Sequence, residues 1–219
     1  MKRKIITTAD GSKTIQIEDW NEQYHSIHGA VQEAYHVFIK HGLSAFKNES
    51  LSLLEIGFGT GLNALITLDE AEKYQLKIRY EGVEAYPVNI EEVTALNYIE
   101  TLGFNKHKTS FINMHTCNWG ELVQLTPNFS IFKSKLDFQE ISHQNLFDLI
   151  YFDAFGYRVQ PELWSRAIFI KMYRALKDGG ILVTYSAKGS VRRAMQEVGF
   201  TIERLPGPPG KREMLRATK

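Results

Sequence analysis

The chain has 219 residues, 43% of them hydrophobic, with 26 basic and 25 acidic side chains and a formal net charge of +1. That is enough for one sizeable α/β core with short additions but too little for two full domains, and a net charge so small excludes a whole-molecule field that would by itself gather nucleic acid. No apolar run approaches the ~20 residues of a membrane span, no apolar core follows the basic start Met1-Lys2-Arg3-Lys4, and the single Cys117 cannot make an internal disulfide, so a cytoplasmic protein is expected.

Residues 5–17 read as a hairpin turning at Asp10-Gly11. Helical spacing through Ala30, Ala34, Val37 and Phe38 stops near Gly42 and completes an N-terminal extension over 1–45. From 46 to 219 strand and helix alternate. Strand 51–56 leads to helix 61–73, and strand 78–84 leads to a helix starting at Pro87, a favoured first helical position, and running to about Thr101. A helix is expected over 111–125 and strands over 131–138 and 148–153. A helix over 161–176, closed by Asp178-Gly179-Gly180, precedes a strand over 181–186. A helix over 189–198 ends at Gly199, and strands near 201–205 and 213–217 flank a loop, Pro206-Gly207-Pro208-Pro209-Gly210, whose prolines have no N–H for a ladder. This order implies a mainly parallel sheet with helices on both faces and ligands at the carboxyl ends of the strands.

The run Leu53-Leu54-Glu55-Ile56-Gly57-Phe58-Gly59-Thr60-Gly61 sits at such an end. Glycines there permit positive φ and remove Cβ atoms that would hold a ligand off the backbone, and the following helix presents free N–H groups. Its E-x-G-x-G-x-G spacing lacks the GxGxxG placement expected for a pyrophosphate, which points away from NAD and FAD. It resembles motif I of the S-adenosylmethionine-dependent methyltransferases, and so implies an α/β fold with their Rossmann-like sheet. A tight structural corner is the plain alternative.

Glu84, some 27 residues after Gly57, ends the second strand and is placed to accept both hydroxyls of a ribose; it would also serve as a helix cap. Asp137 and Glu140 follow the third main strand and are the candidates for an adenine amino group. Asp153 is the catalytic candidate, because a carboxylate ending the apolar strand from Asp148, beside the glycine-loop strand, needs a partner or a ligand; the structural alternative is an N-cap or loop brace. Asp148, at the strand's other end, is read as structural. The seven histidines show no ligand spacing, so no metal is expected, and Ser186 lacks a nucleophile-elbow pattern.

Charge is uneven along the chain: residues 188–219 carry eight basic and three acidic side chains, the preceding part 18 and 22. The basic end would steer an anionic partner or would be only a solvated face.

Several stretches together resemble a family, the methyltransferases of MnmC type that make 5-methylaminomethyl-2-thiouridine at the tRNA wobble position. They are Gly29–Phe38, Glu55–Asn63, Asp153-Ala154-Phe155 with Pro161–Trp164, Tyr185–Arg193, Gly199-Phe200 and Gly210–Met214. The resemblance covers most of the chain and leaves the FAD-dependent oxidase half of the bifunctional protein without a counterpart. The family's alanine- and proline-rich loop after the catalytic aspartate is replaced here by Gly156-Tyr157-Arg158-Val159-Gln160. The resemblance implies S-adenosylmethionine as cofactor, held by Glu55, Gly57, Gly59, Gly61, Asn63, Glu84 and Glu140. It implies Asp153 as the group that aligns the amine, and a tRNA anticodon loop held by Tyr157, Lys188, Arg192, Arg193, Lys211 and Arg212. The other readings are a methyltransferase of small amines and a non-catalytic RNA-binding module that keeps the pocket.

Overall fold

The computed structural model describes residues 2–219. The hairpin forms as expected: β1 (Arg3–Thr7) pairs antiparallel with β2 (Lys13–Ile17), and Asp10 closes the turn by accepting from the Ser12 N–H at 3.1 Å. A strand the sequence did not announce, β3 (Glu22–Gln23), completes a small three-stranded sheet. The next helix begins as α1 (Ala30–Ala34) and continues as a π-helical stretch, Tyr35–Lys40.

The main sheet begins with β4 (Ser50–Ile56), α2 (Leu62–Lys73) and β5 (Lys77–Val83), all close to the expected bounds. The helix expected from Pro87 to Thr101 is instead two short ones, α3 (Ile90–Thr94) and α4 (Tyr98–Leu102). Asn89, not Pro87, starts the first: its side chain accepts from Glu92 N at 2.8 Å while Glu92 accepts from Asn89 N at 3.2 Å, a reciprocal cap that fixes the boundary. The helix expected over 111–125 also divides. It runs as α5 (Lys108–Thr116), the chain turns at Gly120 (φ +80°), and β6 (Leu122–Thr126) pairs antiparallel with β7 (Phe129–Ser134) at the sheet edge.

After β8 (Phe147–Phe152), the 3₁₀ turn Pro161–Trp164 precedes α6 (Arg166–Ala175). Asp178-Gly179-Gly180 does not close that helix but lies within β9 (Leu176–Thr184), where the register with β8 shifts. The strand persists through the irregularity because Gly179 takes φ +77° and the chain's last residue bonds to it on both sides, Gly179 N to Lys219 O at 3.1 Å and Lys219 N to Gly180 O at 3.0 Å. Helix α7 (Gly189–Val198) and strands β10 (Thr201–Pro206) and β11 (Glu213–Thr218) complete the chain.

The eight strands order as β10-β11-β9-β8-β4-β5-β7-β6. The central five are parallel and the three outer ones antiparallel. Apolar side chains of α1, α2 and α5 pack on one face of the sheet and those of α6 and α7 on the other, each forming its own buried cluster. Both faces of β4 and β8 are therefore covered, which explains why these strands read as nearly unbroken apolar runs.

Candidate active site

The parallel pairing of β4 with β8 brings Ile56 opposite Phe152, and Asp153 N donates to Ile56 O at 2.9 Å. The glycine loop and Asp153 thus leave adjacent strands at the same end. A cavity of about 460 Å³ opens there, lined by Gly57–Thr60, Asn63, Glu84–Tyr86, Asp137–Gln139, Asp153–Gly156 and Tyr185. Its size falls in the range of small-molecule sites. The rest of the wall comes from the N-terminal part, including Trp20, Glu22–His28 and Glu33. The extension is therefore a wall of the site and not an appendage. Arg158 ties it to the loop after β8, donating to Trp20 O at 2.9 Å and to Glu22 Oε2 at 3.1 Å, while the Phe155 ring meets Tyr24 edge-on at 4.9 Å.

Gly57, Gly59 and Gly61 all have positive φ, at +90°, +49° and +73°. The space a Cβ would occupy is nonetheless taken by the protein. A Cβ on Gly57 would lie 2.6 Å from Asp153 O, and one on Gly61 would lie 2.6 Å from His115 Nε2. The glycines let the loop close on its neighbours, and the ligand-facing surface is the backbone that this closure exposes. Gly61 and Glu55 stand behind the wall and not on it. Gly61 occupies the cap position of α2, and Glu55 points into the interior.

There Glu55 accepts from Tyr80 Oη at 2.7 Å and from Asn63 Nδ2 at 2.9 Å, and Asn63 Nδ2 also donates to Asp153 Oδ2 at 2.8 Å. One amide thus links two carboxyls. Burial raises the Glu55 carboxyl well above the usual range, against the pull of the Tyr80 and Asn63 hydrogen bonds. Burial, with the Glu33 carboxylate next, pushes Asp153 up to about 7, while Asn63 and Lys211 act the other way. Asn63 Oδ1 is buried without a partner among the described residues and lies in the lining.

Glu84 lines the cavity with both oxygens held by backbone donors, Gly59 N at 3.0 Å and Tyr86 N at 2.9 Å. Each oxygen keeps a lone pair for a ligand hydroxyl. Of the two acidic residues after β7, Asp137 is in the lining and Glu140 is not. Glu140 is engaged with Asp137 in a capping box, accepting from Asp137 N at 3.0 Å.

The basic group divides. Lys211 is in the cavity wall, ion-paired to Glu33, with Nζ 3.9 Å from the Tyr185 ring centroid. Tyr157, Lys188, Arg192, Arg193 and Arg212 are outside the lining. Lys188, Arg193 and Arg212 are exposed, Lys188 lying over the Tyr157 ring at 3.5 Å, and Arg192 is half-buried. Sequence reasoning gave no role to Glu33, Tyr24 or Tyr185. Glu33 carried a signal: it falls between Ala30 and Val37 on the helix's apolar face, where a carboxylate needs a reason.

A family model of S-adenosyl-L-methionine-dependent methyltransferases matches residues 120–219. The tRNA 5-methylaminomethyl-2-thiouridine biosynthesis bifunctional protein MnmC of Leptospira interrogans is 28% identical over 212 residues, and that of Aromatoleum aromaticum 32% over 218 residues. Each comparison covers 90% of this chain and 32% of the relative, so the chain spans about a third of their length. Among solved structures, MNMC2 from Aquifex aeolicus superposes with a TM-score of 0.79 at 24% identity, covering 99% of this chain and 70% of that one. Spermidine synthase from Thermotoga maritima gives 0.53 at 16% identity, covering 98% and 72%. The structural likenesses establish a Rossmann-like fold.

Proposed function

We propose that the chain is an MnmC-like methyltransferase and that it methylates the amine of 5-aminomethyl-(2-thio)uridine at the wobble position of tRNA, giving the 5-methylaminomethyl form. The observation that carries this reading is Asp153 beside the glycine loop, joined to Asn63 within an acidic cavity. Glu22, Glu33, Glu84, Asp137, Asp153 and Glu162 bring six carboxyls to the lining against one amine, Lys211. Such walls favour cationic ligands and disfavour phosphate.

The residues present fit S-adenosylmethionine. Glu84 would take the ribose hydroxyls, Asp137 the adenine amino group, and the unpartnered Asn63 Oδ1 the amino group of the methionine part. When bound, the cofactor supplies an electrophilic methyl group on a sulfonium.

An alkylamine has a pKa near ~10, so presenting it neutral at pH 7 costs roughly 4 kcal/mol. Asp153 accepts an N–H of the amine and so turns its lone pair into the cavity; with its own pKa near neutrality it also has the poise to take a proton that water then carries away. Asn63 fixes the carboxyl's orientation. Tyr24 and Phe155, both in the lining, supply aromatic surface against which a splayed-out base would pack. The exposed Lys188, Arg193 and Arg212 would meet RNA phosphates outside the acidic cavity.

The test is to incubate the protein with S-adenosylmethionine and an anticodon stem-loop carrying 5-aminomethyluridine, then analyse nucleosides by mass spectrometry. The expected result is one added methyl on the modified uridine. A free aminomethyl nucleoside methylated as efficiently as the RNA would make the protein a small-amine methyltransferase.

A further inference from the structure

Lys211 is out of place in its surroundings. It is the only lysine or arginine among the described residues lining a cavity otherwise rich in carboxyls, and its charge opposes the binding of any cation there. It is also firmly held. Glu33, which pairs with it, is 7% exposed and has its other oxygen occupied by Ser26 N at 2.9 Å. The Tyr185 ring beneath the ammonium is fixed by its hydroxyl, which donates to Ala154 O at 2.8 Å, one residue from Asp153. An ammonium has three donors and no acceptor. One goes to Glu33 and a second face rests on the ring, which leaves a donor for the cavity.

Resting on the function proposed above, we infer that Lys211 reads the ring carbonyl next to the reacting aminomethyl group, and that Glu33 and Tyr185 position it to do so. In a 5-aminomethyl-4-oxopyrimidine the C4 oxygen adjoins the carbon that bears the aminomethyl arm, so amine and carbonyl present a donor and an acceptor side by side. Asp153 and Lys211, both in the lining of the cavity, offer the complementary acceptor and donor. A cytosine carries an amino group at C4 and would place its N–H donors against the ammonium. A site built to donate to a substrate oxygen rejects the analogue lacking it far more strongly than an apolar pocket rejects a change of size. Lys211 is thus a specificity-determining residue that confines methylation to uracil-type bases.

The experiment compares two anticodon stem-loops, identical except for 5-aminomethyluridine or 5-aminomethylcytidine, by kcat/KM with the wild type, Lys211→Met and Lys211→Arg. The wild type is expected to prefer the uridine by roughly 100-fold or more, in line with rejection of a substrate that leaves a donor of the site unpaired. Lys211→Met should bring the ratio within roughly tenfold of unity and Lys211→Arg, which keeps a donor, should restore most of it. A lysine that merely staples the loop after β10 to α1 would lower thermal stability and leave the ratio alone. An unchanged ratio in Lys211→Met, or a wild-type ratio near one, overturns the assignment while leaving the methyltransferase reading intact. Absence of transfer to the uridine substrate by the wild type overturns both. The wild-type ratio needs no variant to fold.

Discussion

Asn63 Nδ2 and Asp153 Oδ2 lie 2.8 Å apart, which joins the first turn of α2 to the carboxyl end of β8 across the mouth of the sheet. Because the same nitrogen holds the buried Glu55, the orientation of Asp153 is set from the protein interior. Asn63→Ala is expected to leave the fold in place and lower kcat by about one to two orders of magnitude, and Asp153→Ala by two to four, the range for a positioned proton acceptor. Single-turnover rates at saturating RNA and cofactor check this, and wild-type rates in Asp153→Ala would make that residue structural.

The raised pKa of Asp153 fixes two signs. If the ionised carboxyl is the acceptor, kcat/KM should rise with pH through about 7, and Asp153→Asn should remove that limb. For stability, the folded protein retains a proton between the ordinary carboxyl range and about 7 that the unfolded chain has released. Asp153 therefore lowers stability progressively as pH rises across that window, fully so above it. Asp153→Asn should raise the free energy of unfolding more at pH 8 than at pH 4, by about 1–2 kcal/mol after solvent screening. Denaturant titrations at the two pH values measure the difference.

Gly57→Ala should damage stability and catalysis together. It places a Cβ 2.6 Å from the Asp153 carbonyl at φ +90°, so the loop or the end of β8 must shift. A loss of about 1–3 kcal/mol is expected, with a fall in activity that Gly103→Ala does not share. Gly103 also has positive φ, at +68°, but open space beyond it. Thermal melts and initial rates of the two variants separate backbone strain from displacement of Asp153.

Glu84→Ala removes the carboxylate proposed to accept from the ribose hydroxyls and frees the N–H groups of Gly59 and Tyr86. Binding of S-adenosylmethionine should weaken by about 1.5–3 kcal/mol, the worth of hydrogen bonds to a charged group. Calorimetry reads this directly, and NAD bound more tightly than S-adenosylmethionine by the wild type would end the assignment.

The parallel core was legible because β4 and β8 are covered on both faces and β5 along most of its length, so that they carry the pattern in their own residues. So was the meeting of Glu84 and Asp153 at one end, which follows from any parallel strand order that pairs β4 with β5 and β8. The edge was not: β6 forms because Gly120 turns the chain back on β7, a tertiary pairing that overrides the helical spacing of 111–125. Nor was the wall built by Trp20, Tyr24 and Glu33, since nothing local places the N-terminal sheet over a cavity at the far end of β8. Lys211 was drawn to the binding surface by the charge of its segment, but its ion pair spans 178 residues and puts it inside.

That division of the basic residues makes the last prediction. Lys188, Arg193 and Arg212 are exposed, whereas Lys211 is matched to Glu33 within acidic walls where no phosphate would be tolerated. Affinity for an anticodon stem-loop should fall with salt by a log–log slope of about −0.7 for each single-strand phosphate neutralised. Arg193→Glu and Arg212→Glu should each flatten the slope by about that amount and raise KM for RNA, with cofactor affinity unchanged. Lys211→Met should leave the slope as it is, because its donor meets a base and not the backbone. Fluorescence anisotropy between roughly 50 and 200 mM salt measures all three. Equal slopes in every variant would show the exposed arginines to be only a solvated surface, and a flattened slope in Lys211→Met would return that residue to the phosphates.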